Sequence, residues 1–117
     1  MVLRTLLFAL TSAALLFGDA AGTWTASIDS PIGVQTYTYT FKVEGAKLTG
    51  HAKSQFSDSD IAEGTVKGDE ITFVENMSIE GMPLKITYKG KVAGDEIKFT
   101  RNVADLAMEE FVAKRSK

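Results

Sequence analysis

Two charged residues stand in the sequence where apolar ones belong, and they set the chemical question. Glu75 shares a two-residue period with Ile71, Phe73 and Met77, and Arg101 shares one with Ile97 and Phe99. In a strand that period puts each charge on the apolar face. A lone buried charge is costly, so Glu75 and Arg101 must pair, reach water, or both. Counted along their strands, Glu75, Tyr88 and Arg101 occupy one level. Tyr39 falls at a comparable height, Tyr37 follows it on the same face, and Ser54 and Glu109 lie a layer nearer the mouth. One outcome is a polar pocket in which Arg101, Tyr88 and Glu75 orient a ligand's carboxylate or hydroxyls. The other is an ion pair inside a filled core, or a slipped register that leaves both charges in solvent.

Catalytic and metal templates find little support. His51 is the one histidine, and it alternates with Leu48 and Gly50, so it faces outward beside Thr49 and Lys53. No Ser/His/Asp constellation forms around it, and a multi-histidine metal centre is excluded. With no cysteine in the chain, disulfides, thiolate metal sites and a cysteine nucleophile are excluded too. Asp58, Asp60 and Glu63 make an acidic cluster without the spacing or turn glycine of a calcium loop, and read as a solvated segment. Glu75 and Glu109 could face each other for acid–base work on a sugar, but the sequence fixes no separation between them. No catalytic residue, metal or cofactor is expected.

The elements that position these residues are strands. Tyr37, Tyr39, Phe41 and Val43 alternate with Thr36, Thr38, Thr40 and Lys42, and similar alternation follows through Ile71–Met77 and Leu84–Val92. A punctuation mark recurs at Val43-Glu44-Gly45-Ala46-Lys47-Leu48, Val66-Lys67-Gly68-Asp69-Glu70-Ile71 and Val92-Ala93-Gly94-Asp95-Glu96-Ile97. Glycine there supplies the positive φ of a tight hairpin. The spacing predicts eight strands near 22–29, 34–43, 47–55, 61–67, 70–78, 83–92, 96–102 and 108–115. The three glycine turns then share one end. Longer links at Asp29–Gly33, Phe56–Asp60, Ile79–Met82 and Val103–Ala107 share the other. Closing the sheet removes its exposed edges, so the expected fold is all-β, an eight-stranded antiparallel up-and-down barrel.

A chain of 117 residues suits one domain. Residues 1–20 read as a signal peptide: Arg4 opens an apolar run over Thr5–Phe17, and Gly18-Asp19-Ala20 places small residues at −3 and −1. That run is shorter than the roughly 20 residues a membrane span takes. The barrel domain is then 21–117, exported to a periplasm or the cell exterior. A net charge of −2 argues against a nucleic-acid partner.

Gly22-Thr23-Trp24 opens the first strand, and Arg115 ends the last on the parity of Phe111 and Ala113. The pair resembles the calycin superfamily, the lipocalins and avidins, in which a basic residue from the last strand covers a G-x-W tryptophan. That resemblance implies a structural plug at the closed end, made by Trp24 and Arg115. Gly22-Thr23-Trp24-Thr25, Phe41-Lys42-Val43 and Leu48-Thr49-Gly50 are most similar to the first strands of avidin and streptavidin. Ser30 and Ser54 match serines of that family's biotin site. Its asparagine and tyrosine fall at Ala26 and Ala52, however, and Trp24 is the one tryptophan, so biotin binding is not implied. The blocks Thr-Tyr-Thr-Phe-Lys-Val and Tyr-Lys-Gly-Lys-Val-x-Gly-Asp-Glu-Ile-Lys-Phe also resemble a family of small exported bacterial proteins of unknown function. Some of those accompany sugar-active enzymes.

The expected role is non-catalytic binding of a small hydrophobic or amphipathic molecule at the open end. Tyr37, Tyr39, Tyr88, Phe73, Phe99 and Phe111 would form the walls, and Glu75 and Arg101 the polar anchors, with Ser54 and Glu109 near the mouth. A carrier of this kind needs a cavity of several hundred cubic ångströms. Two alternatives stand beside it. One is a carbohydrate-binding or glycoside-hydrolase-associated accessory domain, with tyrosines stacked on sugar rings. The other is a filled structural or interaction barrel.

Overall fold

In the computed structural model, which describes residues 19–30 and 33–116, period-two alternation becomes nine hydrogen-bonded strands. They are β1 (Gly22–Ser30), β2 (Gly33–Glu44), β3 (Lys47–Lys53), β4 (Asp58–Asp60), β5 (Ala62–Lys67), β6 (Glu70–Ile79), β7 (Met82–Ala93), β8 (Glu96–Val103) and β9 (Ala107–Arg115). Each pairs antiparallel with its neighbours, and β1 meets β9 through Trp24 and Arg115 to close the ring. β4 and β5 are two pieces of one barrel strand, since both lie against β3. The fold is therefore a closed eight-stranded antiparallel barrel. Residues 1–18, most of the expected signal peptide, lie outside the described residues.

The break in the fourth strand has a local cause. A register shift falls between Ala62 and Thr65, and Glu63 takes the left-handed φ of 53° inside it. Such a bulge bends the strand and re-aims its side chains. The chain before the bend folds back so that His51, Ala52 and Lys53 oppose Asp60, Ser59 and Asp58. Strand β3 thus ends two residues earlier than its sequence pattern predicts, because the Ser54 amide turns to the Ser57 carbonyl at 2.7 Å.

At the other three glycine turns, Gly45, Gly68 and Gly94 hold φ near 61°, the first central position of a two-residue hairpin. The link at Ile79–Met82, expected to be long, is also a two-residue turn. Ile79 pairs with Met82, and Glu80 and Gly81 have φ of 52° and 82°. Two successive positive φ values match the twist of the flanking strands, so no extra residues are needed.

The interior is filled over most of its height. Trp24, Tyr37, Tyr39, Ile71, Phe73, Tyr88 and Ile97 are buried to 1% exposure or less. Phe73 stacks on Tyr88 at 4.3 Å, and Phe99 meets Tyr39 at 5.6 Å. Gly90 faces inward among them: a Cβ there would stand 2.6 Å from the Phe99 ring, so the glycine makes room for the aromatic layer.

Candidate functional site

The two ends of this barrel are finished differently. At the closed end, the Arg115 guanidinium lies 4.3 Å over the Trp24 ring. Trp24 Nε1 donates to the Ala20 carbonyl at 2.8 Å, and Arg115 Nη1 donates to the Ala21 carbonyl at 2.9 Å. Ala20 is fully buried. The backbone of Asp19–Ala21 therefore belongs to this seal, and a cut after Ala20 removes the acceptor of the tryptophan bond.

Toward the open end, parity delivers Gln35, Tyr37 and Tyr39 from β2, Glu75 from β6, Tyr88 from β7, Arg101 from β8 and Glu109 from β9. Glu75 has no exposed surface. Its Oε1 accepts from the Tyr88 hydroxyl at 2.7 Å, and its Oε2 accepts from Tyr37 at 3.0 Å and from Ser57 Oγ at 3.3 Å. Three hydroxyl donors converge on an acceptor-only carboxylate, which meets the hydrogen-bond demand of the buried charge without a cation beside it.

Arg101 is satisfied separately. Nε donates to Glu109 Oε1 at 2.6 Å, Nη1 to the Tyr88 hydroxyl at 3.0 Å, and Nη2 to Gln35 Oε1 at 3.3 Å. Its guanidinium lies 5.3 Å from the Tyr37 ring centre and 5.8 Å from those of Tyr88 and Phe111. So Glu75 and Arg101 do not bond directly; the Tyr88 hydroxyl joins them. It donates to Glu75 and accepts from Arg101 and from Tyr39, whose oxygen is 3.0 Å away. Counting along strands put Glu75, Tyr88 and Arg101 in one layer, but the register sets Tyr88 opposite Phe73 and Arg101, and Glu75 opposite Ile86. The stagger of a closed barrel produces that offset.

Burial raises the Tyr37, Tyr39 and Tyr88 hydroxyl pKa values above the ordinary one, and for Tyr37 the nearby Glu75 carboxylate adds to the rise. All three therefore stay protonated and able to donate. Burial alone would favour a neutral Arg101, but Tyr88 and Glu109 outweigh it and hold the side chain charged.

Above this network is a cup of about 180 Å³. Met77, Ile79, Leu84, Ile86, Val103 and Ala107 form its apolar wall, and Arg101, Gln35, Glu109 and Ser30 are the polar groups reached through it. Of the residues expected at the site, Arg101 and Glu109 line the cup, while Glu75, Tyr37, Tyr39 and Tyr88 lie beneath it. Phe73 and Phe99 are core, and Phe111 is half-buried beside Arg101. Ser54 joins neither group: its hydroxyl accepts the Phe56 amide in a local turn. Ser57 and Gln35 serve in its place. Gln35 was findable, because it extends the inward row of Tyr37 and Tyr39 by one step. Ser57 was not, because the chain has already left the strand.

On the outer wall, His51 is bonded on both ring nitrogens, by Asp60 at Nδ1 (3.0 Å) and by Asp58 at Nε2. Carboxylates on opposite edges of one ring cannot share a metal ion, and among the described residues no His/Asp/Glu group has metal-binding geometry. Glu63 stands apart from this clamp, in the bulge. The chain matches no family model, no curated protein and no solved structure.

Proposed function

We propose that the chain is a non-catalytic binding barrel of calycin-like type, whose open-end cup receives a compact group with an apolar body and a polar tip. The observation that carries this reading is Arg101. It is 2% exposed, and it reaches a largely apolar cup with three of its five N–H groups engaged by protein. Two donors are left for a ligand, and the Glu109 carboxylate beside them accepts. The tip that suits this pair both accepts and donates, as a hydroxyl or a primary amide does.

The size of the cup sets the size of the ligand. At about 180 Å³ it falls short of the several hundred cubic ångströms expected of a carrier, because the interlocked aromatic rings fill the barrel beneath it; it is near the roughly 150 Å³ that accommodates benzene. The occupant therefore has on the order of six to ten non-hydrogen atoms. The filled aromatic layer beneath supports this limit. Stacking on sugar rings has less support, because Tyr37, Tyr39 and Tyr88 are fully buried and Phe56 is the one exposed aromatic ring among the described residues. The leader-like pattern of residues 1–18 supports export, whereas Asp19 and Ala20 belong to the closed-end seal and argue against the expected cut after Ala20.

Titration with benzyl alcohol and with toluene, followed through the methyl resonances of Ile86, Val103 and Met77, tests the reading. Both probes are expected to shift these methyls, benzyl alcohol more tightly, and Arg101→Met to abolish the difference. Methyls that ignore both probes up to their solubility limits would falsify it.

A further inference from the structure

At the mouth of the barrel stand Val34, Phe56, Ile79, Met82, Leu106 and Met108, with exposures from 40% for Ile79 to 82% for Leu106. They come from separate strand ends and turns of the open end; Val34 and Met108 alternate with the inward Gln35 and Glu109 and so lie on the outer rim, while Phe56, Ile79, Met82 and Leu106 stand at the opening itself. Among the described residues, Val112 is the one exposed large apolar side chain away from it. The remaining outer wall is mostly polar, as at Thr36, Thr38, Asn76, Lys89, Lys91 and Glu110. An apolar ring concentrated in this way marks a contact surface rather than scattered surface hydrophobicity.

The ring is held in place. Ile79 and Met82 flank a turn with Glu80 at φ 52°, and Leu106 follows Ala104 and Asp105 at φ 52° and 61°. These left-handed, non-glycine backbones are uncommon and cost free energy. Bonds from the Ala104 amide to the Lys85 carbonyl (2.9 Å) and from the Leu106 amide to the Val103 carbonyl (2.8 Å) fix the second turn.

Charge distinguishes the possible occupants. Asp29, Glu80 and Asp105 are exposed carboxylates at the mouth, with Glu109 just inside it. Lys42, Lys47, Lys67, Lys91, Lys98 and Lys114 lie toward the opposite end, among Glu44, Asp69, Glu70, Asp95 and Glu96; Lys89 is mid-wall, and only Lys53 and Lys85 stand near the mouth, where carboxylates outnumber them. The apolar ring therefore sits in an acidic field, which repels anionic lipid headgroups and attracts basic groups. The cup it surrounds has room for one leucine or phenylalanine side chain and is closed below by Arg101, so a lipid acyl chain is too long for it.

Resting on the reading of the cup as a binding site, we propose that the open end docks a basic amphipathic polypeptide, one apolar side chain of which enters the cup. The surrounding ring then excludes water from that central anchor, the arrangement in which a single buried side chain contributes most of the binding energy.

Fluorescence anisotropy of a labelled synthetic peptide of lysine, leucine and phenylalanine tests this, against the same peptide with glutamate for each lysine. The lysine peptide is expected to bind at least about tenfold more tightly and to weaken as salt rises. The double variant M82S/L106S is expected to weaken it by about tenfold, and Glu80→Lys by about threefold, with the thermal midpoint kept as the check on folding. Equal affinity for the two peptides, or an unchanged affinity in M82S/L106S, overturns the proposal. Co-flotation with phosphatidylcholine vesicles without peptide binding overturns it in favour of a lipid surface. Cup methyls that respond to benzyl alcohol while no peptide binds overturn the docking and leave the cup reading intact.

Discussion

Each end of this barrel has one arginine set against aromatic rings, and the two differ in what receives their hydrogen bonds. Arg115, over Trp24, gives its Nη bonds to backbone carbonyls of Asp19, Ala21 and Gly94, and its Nε to Asp95. Arg101, among Tyr37, Tyr88 and Phe111, gives all of its bonds to side chains. A backbone acceptor has no side-chain torsions through which to turn away, so the closed end has one arrangement. Side-chain acceptors rotate, so the open end has partners that can yield to an incoming group. The same chemistry thus seals one end and leaves the other adaptable.

The largest expected effect lies at the sealed end. Trp24→Ala empties a fully buried site and removes the platform beneath Arg115, so it should cost about 3–5 kcal/mol in denaturant unfolding followed by circular dichroism. Met82→Ala at the exposed rim should stay within about 0.5 kcal/mol of the parent. If the two variants unfold at similar midpoints, stability is not anchored at the closed end and the contrast between the ends fails.

A sharper comparison lies inside the open-end network. Tyr88 and Tyr37 each bring one hydroxyl to Glu75, but Tyr88 also accepts from Arg101 and Tyr39. Tyr88→Phe therefore removes one partner each from Glu75 and Arg101 and leaves the Tyr39 hydroxyl without its acceptor, at about 1–3 kcal/mol, toward the top of that range. Tyr37→Phe removes one donor from Glu75, which keeps Tyr88 and Ser57, and should fall toward the bottom. Matched urea titrations decide it, and the reverse order would make Glu75 rather than the Tyr88 bridge the centre of the network.

How far the sequence foretold these two ends follows from what parity contains. Alternation gives the face of a side chain, so the buried rows, the placement of Glu75 and Arg101 inside, and the barrel's closure were all legible. Parity gives neither stagger between strands nor position around the ring. Glu75 and Arg101 therefore seemed natural partners, whereas Glu109, directly opposite Arg101 in register, takes the ion pair. Residues beyond the strand ends were the least legible. Nothing in the spacing of Ser57 or Asp58 announces that the chain folds back at Ile61 to reach Glu75 and His51. Cavity size was hidden for a related reason: it depends on how the Tyr39, Phe73, Tyr88 and Phe99 rings interlock, which alternation does not encode.

The smallest effect belongs to that folded-back segment, where charge rather than burial ties β4 to the wall. Asp60 and then Asp58 bond the His51 ring, and both raise its pKa above the ordinary 6.5 by stabilising the protonated form. A pKa raised on folding adds stability that is fully present below the unfolded value, about 6.5, and is lost as pH rises through the folded value. The clamp therefore holds in mildly acidic solution and loosens toward alkaline pH. His51→Gln should lower the thermal midpoint slightly at pH 6 and leave it unchanged near pH 9. The exposure of the ring keeps the difference small, because solvent screens the pair. An NMR titration of His51 supplies the independent readout. A midpoint at or below 6.5 would show that the aspartates do not grip the ring, and the seam between β3 and β4 would then rest on its backbone pairing alone.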